Sequence, residues 1–159
     1  MEQTITVELN GERRALTVRT DATLLEVLRD GCGLASVRET CGIGICGACT
    51  VLVDGVPISS CLLLAPLADG CRITTVEGLS RGDELHPVQR AFIDQMAFQC
   101  SYCTPGMVLS AVALLAERPD PSPEEIAEYL AGNLCRCGSY PRILAAISDA
   151  ARLMRQASR

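Results

Sequence analysis

The chain has 159 residues, of which 48% are hydrophobic and 21% charged, enough to bury one domain or two small ones. Its net charge of −5 comes with no basic stripe and no basic–aromatic interleaving, which removes nucleic acid from the partners to consider. Aromatic residues make up 3% and Trp is missing, so the cores must be built from Ala, Val, Leu and Ile, and the ten cysteines are far more than such cores need.

The alternation Thr4, Ile5, Thr6, Val7, Glu8, Leu9 predicts a strand with one buried face. Asn10-Gly11 is a strong hairpin signal, returning the chain as a second strand over residues 14–18. Asp21 and Thr23 offer caps to a short helix over residues 24–29. A glycine-rich cysteine loop follows. Residues 51–53 and 56–58 flank Asp54-Gly55, a second hairpin turn; Cys61 comes just behind, and residues 72–76 form a last strand. These pieces make a small α+β sheet wrapped on one helix.

Gly78, Ser80, Gly82 and Asp83 interrupt the strand pattern and divide the chain into residues 1–78 and 79–159. Everything afterwards has helical period. Val88, Phe92, Ile93 and Met96 share one helix face. Thr104-Pro105 reads as a cap followed by Pro at the first helical position, opening a helix to residue 118 that is apolar almost all round and hence buried on several sides. Ser122 caps a short helix over residues 123–130, with Glu124 and Glu125 in its first turn, and Pro141 starts the last helix, whose apolar stripe is Ile143, Ile147, Ala150, Ala151 and Met154. Four helices around one core form a small bundle. No apolar run reaches the ~18 residues of a membrane span; the longest, residues 107–116, is broken by Ser110. A start on Met1-Glu-Gln-Thr-Ile-Thr-Val, with no basic-then-apolar leader, and clustered thiols read together as a cytoplasmic, metal-binding chain, with export beside a signal-bearing partner as the other route.

The stretch Cys41-Gly-Ile-Gly-Ile-Cys46-Gly-Ala-Cys49, closed by Cys61, is Cys-x4-Cys-x2-Cys with a distant fourth thiol. That is the plant-type spacing of a 2Fe-2S cluster held by four thiolates. Its glycines let the backbone wrap closely, with amide N–H groups aimed at the sulfurs. Structural zinc prefers paired Cys-x2-Cys sets, which this is not. The same stretch formally matches a Gly-x-Gly-x-x-Gly dinucleotide fingerprint, but Thr50 to Val53 after it read as a strand where a helix is required.

A second thiol set, Cys100-x2-Cys103 and Cys135-x-Cys137, lies in the helical half, each pair just ahead of a helix. Helix amino termini suit an anionic cluster of about −2 charge, so the two starts are expected to meet at one cluster. A four-thiolate zinc site is the rival for this set. Cys32 and Cys71 are left over and read as small buried hydrophobes, His86 before Pro87 as a capping or surface residue, and Met96, Met107 and Met154 as core. No Ser–His–Asp set or nucleotide loop is present, so no substrate chemistry is expected on this chain alone.

The three motifs together, the Cys41–Thr50 loop, Phe98-Gln-Cys-Ser-Tyr-Cys-Thr-Pro-Gly-Met107 and Gly132-Asn-Leu-Cys-Arg-Cys137, resemble the small iron–sulfur subunit of the molybdenum hydroxylases, the xanthine dehydrogenase, aldehyde oxidoreductase and carbon monoxide dehydrogenase relatives. The resemblance covers nearly the whole chain. It implies a β-grasp, ferredoxin-like domain followed by a four-helix 2Fe-2S-binding domain. It also implies two 2Fe-2S clusters, ligated by Cys41, Cys46, Cys49 and Cys61 and by Cys100, Cys103, Cys135 and Cys137, with Gln99 and Cys137 against the molybdopterin-type cofactor of a large partner subunit. Electrons would leave that site singly, cross the helical-domain cluster and then the ferredoxin-like one, and pass to a flavin subunit or an external acceptor. Gly138-Ser139-Tyr140 stands where many members have Thr-Gly-Tyr, a variant similar to the isoquinoline and nicotinate oxidoreductase branch; it implies cytochrome c in place of a flavin subunit, and an N-heterocycle or aldehyde in place of a purine. The alternatives from other classes are a free-standing ferredoxin-type carrier and a zinc-stabilised interaction module.

Overall fold

The computed structural model describes residues 1–157. Strands β1 (Glu2–Leu9) and β2 (Glu12–Arg19) pair antiparallel through the Asn10-Gly11 turn, where both residues take the left-handed φ that such a turn demands. Strands β3 (Thr50–Val53) and β4 (Val56–Ser59) form the second hairpin around Asp54-Gly55, and β5 (Arg72–Thr74) inserts between the hairpins, parallel to β1 and antiparallel to β3. The strand order is β2-β1-β5-β3-β4. This is a β-grasp sheet, and what it grasps is α1 (Leu24–Glu26) continued by a π-helical turn (Val27–Gly31). Leu24, Leu25 and Leu28 from that turn pack into one core with Ile5, Val7, Val51 and Ile73. A capping box fixes where the helix starts: Thr23 Oγ1 accepts from the Glu26 N–H at 3.2 Å, while Glu26 accepts from the Thr23 N–H at 2.7 Å.

The second half holds α2 (Pro87–Asp94), α3 (Thr104–Glu117), α4 (Pro123–Tyr129) and α5 (Tyr140–Ala157), with Val88, Phe92, Met107, Leu114, Ile126, Ile143 and Ile147 in a shared core. The expected all-round apolarity of α3 has a direct cause. One side faces this bundle, and the other sends Leu109 and Ala113 against Leu52 of the sheet. Ser122 caps α4 as expected, accepting from the Glu125 N–H at 3.2 Å.

Several expectations need correction. The helix with Val88 and Phe92 stops at Asp94, and Met96 takes φ 45°, so Ile93 and Met96 face solvent and not the core. Thr104 is the first residue of α3, not its cap; Cys103 already has helical φ and ψ and holds the capping position without a side-chain bond. The last strand ends at Thr74, because Val76 enters a 3-10 turn. Cys32 and Cys71 are half-buried, not buried. His86 does cap α2: its Nδ1 accepts from the Val88 N–H at 3.2 Å, and burial pushes its pKa down from the ordinary 6.5.

Candidate metal centres

The first cysteine loop runs from the π-helical turn to β3 without helix or strand. Gly42, Gly44 and Gly47 in it all have φ between +64° and +72°, which folds the backbone round a point and turns its amides inward. One of them also has no room for a side chain: a Cβ on Gly47 would collide with the Gly132 carbonyl and Asn133, whereas one on Gly44 would meet only the movable, exposed Leu62 side chain. Cys61 is delivered by the turn after β4, where the Ser60 hydroxyl donates to the Cys49 carbonyl at 2.7 Å and ties the fourth thiol to the third.

Within this quartet the thiols meet two by two: Cys41 with Cys46, and Cys49 with Cys61. The N–H groups of Ile43 and Cys46, the Cys46 thiol and the Ile45 N–H all point at the Cys41 sulfur and hold its pKa down to about 6. Burial, with the Cys49 thiol beside it, pushes Cys61 up to about 11. The loop therefore has an outer edge that stabilises a thiolate through backbone donors and an inner edge set into the sheet.

The second quartet is assembled from two loops far apart in sequence. Cys100 and Cys103 lie between α2 and α3, and Cys135 and Cys137 between α4 and α5. The two helix starts do come together, with Cys100 Sγ and Cys137 Sγ 3.4 Å apart. Cys103 and Cys135 form the other pair. Cys100 and Cys137 are exposed, whereas Cys135 is buried and Cys103 half-buried, its pKa pushed up to about 12 by burial and by Cys135. Among the described residues no three His, Cys, Asp or Glu side chains converge on one point as ligands of a single ion would; the sulfurs meet in pairs. The Tyr140 hydroxyl accepts from the Cys135 N–H at 2.8 Å, so the first residue of α5 fixes the loop that carries the inner thiol.

Of the exposed pair, Cys137 opens on a cleft of about 360 Å³ lined also by Phe98, Gln99, Ser139 and Arg142. Gln99 and Cys137, associated by motif alone in the sequence, thus share one surface depression.

What the motifs did not reveal is how the two quartets are joined. The Leu134 N–H donates to the Cys46 carbonyl at 2.9 Å, connecting the residue before Cys135 directly to a thiol residue of the first loop. Asn133, buried, donates to the Gly47 carbonyl at 3.1 Å and to Thr50 Oγ1 at 3.3 Å, and accepts from the Ser110 hydroxyl at 2.8 Å. Gly106 presses on the Gly47 carbonyl with no room for a Cβ. A lone Asn and a lone Gly give no periodic or spacing signal, so only the folded chain reveals this seam.

Residues 7–78 match the family described as 2Fe-2S iron-sulfur cluster binding domain, and residues 75–148 the family described as [2Fe-2S] binding domain. The small FeS subunit of nicotinate dehydrogenase from Eubacterium barkeri is 46% identical, over 91% of this chain and 92% of its own length. The structure of quinoline 2-oxidoreductase from Pseudomonas putida 86 superposes with a TM-score of 0.94 at 43% identity, over 98% of this chain and 97% of that one. The aldehyde oxidoreductase of Desulfovibrio gigas superposes at 0.93 with 36% identity, over 98% of this chain but only 17% of that one, so its likeness is a segment of a much longer polypeptide. Matched over nearly its whole length at such identity, the chain belongs to the family of small 2Fe-2S iron–sulfur subunits of the molybdenum hydroxylases.

Proposed function

We propose that this chain relays single electrons from a molybdenum–pterin site in a large partner subunit to an acceptor, through two 2Fe-2S clusters. Cys41, Cys46, Cys49 and Cys61 hold one, in residues 1–78; Cys100, Cys103, Cys135 and Cys137 hold the other, in residues 79–159. The observation that carries this reading is the meeting of two thiols from loops far apart in sequence, Cys100 Sγ and Cys137 Sγ 3.4 Å apart, as two ligands of one iron in a cluster would be. Such a cluster, when bound, takes up and returns one electron at a time.

The chain's own residues then have distinct tasks. The amides of Ile43, Ile45 and Cys46 stabilise negative charge at the outer edge of the first loop. Cys137 brings a sulfur to the surface beside Gln99, whose carboxamide can both donate to and accept from a pterin; this supports electron entry at the helical half. The Leu134–Cys46 hydrogen bond supports passage from there to the sheet half. The free-standing carrier is not favoured, since the relatives are named as subunits or built into longer enzymes. The Gly138-Ser139-Tyr140 variant supports cytochrome c as acceptor over a flavin subunit. The likeness to nicotinate, quinoline and aldehyde enzymes supports a substrate of the N-heterocycle or aldehyde class.

The test is an EPR-monitored redox titration of the native complex during turnover. Two distinct one-electron signals that reduce when substrate is added are expected; centres that stay oxidised while product accumulates would remove the relay.

A further inference from the structure

A second clasp joins the two cysteine loops, apart from the Asn133 seam. Arg38, just ahead of Cys41, donates through Nη1 to the Ser101 carbonyl at 2.5 Å, inside the loop between Cys100 and Cys103. Its guanidinium lies over the Tyr102 ring, 5.0 Å from the centroid. The Tyr102 hydroxyl reaches back and donates to the Glu39 carbonyl at 2.7 Å. Neighbouring residues of one loop thus grip neighbouring residues of the other, in both directions. Ser101 is held in this clasp at φ 61°, a left-handed conformation costly for a residue with a side chain.

The charge of Arg38 is as notable as its bonds. Among the described residues it makes no ion pair, a property it shares with Arg13, Arg72, Arg81, Arg136 and Arg142, but it alone of these clasps the Ser101 carbonyl and the Tyr102 ring. A half-buried cation with no carboxylate partner therefore sits where the segment ahead of Cys41 touches the loop between Cys100 and Cys103. Its hydrogen bond also turns the positive end of a guanidinium onto the carbonyl that separates Cys100 from Cys103.

We propose, resting on the relay reading, that Arg38 is a positioning residue that raises the reduction potential of the centre held by Cys100, Cys103, Cys135 and Cys137. Reduction adds one negative charge to an already anionic group, so a fixed neighbouring cation favours the reduced form. The Tyr102 face keeps the guanidinium in that place and its stacking limits other rotamers.

The experiment is an EPR-monitored redox titration of the purified, iron-loaded complex, native and with Arg38→Gln or Arg38→Lys. Arg38→Gln keeps a donor for the Ser101 carbonyl and loses the charge; Arg38→Lys keeps the charge. With iron content equal to native, Arg38→Gln should shift one centre's reduction equilibrium about tenfold toward the oxidised form, a fall of about 59 mV for one electron. The other centre should move less, and Arg38→Lys should restore most of the difference. Unmoved midpoints in Arg38→Gln, or equal falls in both variants, would overturn the assignment of Arg38 and leave the relay standing. A native complex without two one-electron signals would overturn both. Should Arg38→Gln fail to load iron, Arg38→Lys decides alone, near-native midpoints supporting the role of charge and a full shift refuting it.

Discussion

Asn133 joins the halves with three polar contacts in a place water does not reach. Replacing it with Ala removes the Ser110 hydroxyl's acceptor while the Gly47 carbonyl keeps its bonds from Thr50, and one such buried orphaned group costs roughly 1–3 kcal/mol. Asn133→Ala should therefore lower the denaturant midpoint of the iron-loaded chain; an unchanged midpoint would mean that the seam carries no stability. The cysteines divide more sharply. Cys49→Ser and Cys103→Ser should each remove about half of the iron and one of the two EPR signals, a different one in each case. Cys32→Ala and Cys71→Ala, whose thiols belong to neither quartet, should leave iron and both signals unchanged. Iron loss on replacing either of these would redraw the ligand sets. The candidate ligand sets were legible from spacing, because a cluster demands thiols at set intervals, and the structure brings Cys100 and Cys137 of the second set together. The partner of each thiol was not legible, since pairing Cys100 with Cys137 and Cys103 with Cys135 depends on how two helix starts cross in space.

Helix starts proved easier to read than helix ends, for a physical reason. A start announces itself through a side chain that must satisfy free N–H groups, as Thr23, His86 and Ser122 do. The exception is Thr104, where Cys103 is already wound into the turn and holds the capping position without a side-chain bond. The end of α2 carries no such signature, and the apolar period runs past it to Met96, which is why Ile93 and Met96 read as core and are not. His86 gives the α2 cap a pH dependence. Burial lowers its folded pKa below the ordinary 6.5, so the unfolded chain binds the proton more readily. The stability contributed by neutral His86 is complete above the unfolded value and is lost as pH falls from there toward the depressed folded value. Lowering the pH from about 7.5 to about 5.5 should thus reduce the melting temperature more in the native chain than in His86→Asn, which caps without titrating over that range. Parallel losses in the two proteins would exclude His86 as the source. The two-sided helix α3 makes a simpler forecast. Leu109→Ala opens a void in the seam with Leu52, at about 2–5 kcal/mol, seen as a lower denaturant midpoint; a change well below that range would mean that the halves barely depend on each other.

At the scale of the whole molecule the chain is an incomplete surface. Several large apolar side chains stay outside the cores and face solvent, and a patch of them is where a partner protein would dock. Phe98, exposed, lines the cleft beside Gln99, the exposed Ile93 and Met96 come just ahead of it in the chain, and Leu134 and Tyr140, also exposed, line a second depression. The D. gigas enzyme, in which the matching segment is 17% of a longer chain, shows that this fold can be covalently joined to a larger body. A chain that is separate must gain by contact what that one has by linkage. The interface with the large subunit is expected to exceed ~2,000 Å² in total, the range of permanent complexes. Glutamate at both Ile93 and Met96 sets charge where desolvation would be required, yet touches neither quartet, and both side chains are already exposed in the free chain. The double variant should therefore load iron and absorb visible light like the native chain but fail to co-elute with the large subunit in size-exclusion chromatography. Co-elution at native strength would place the interface on another face, and the exposed Ile43, Ile45 and Leu62 around the first cysteine loop would be the next surface to test.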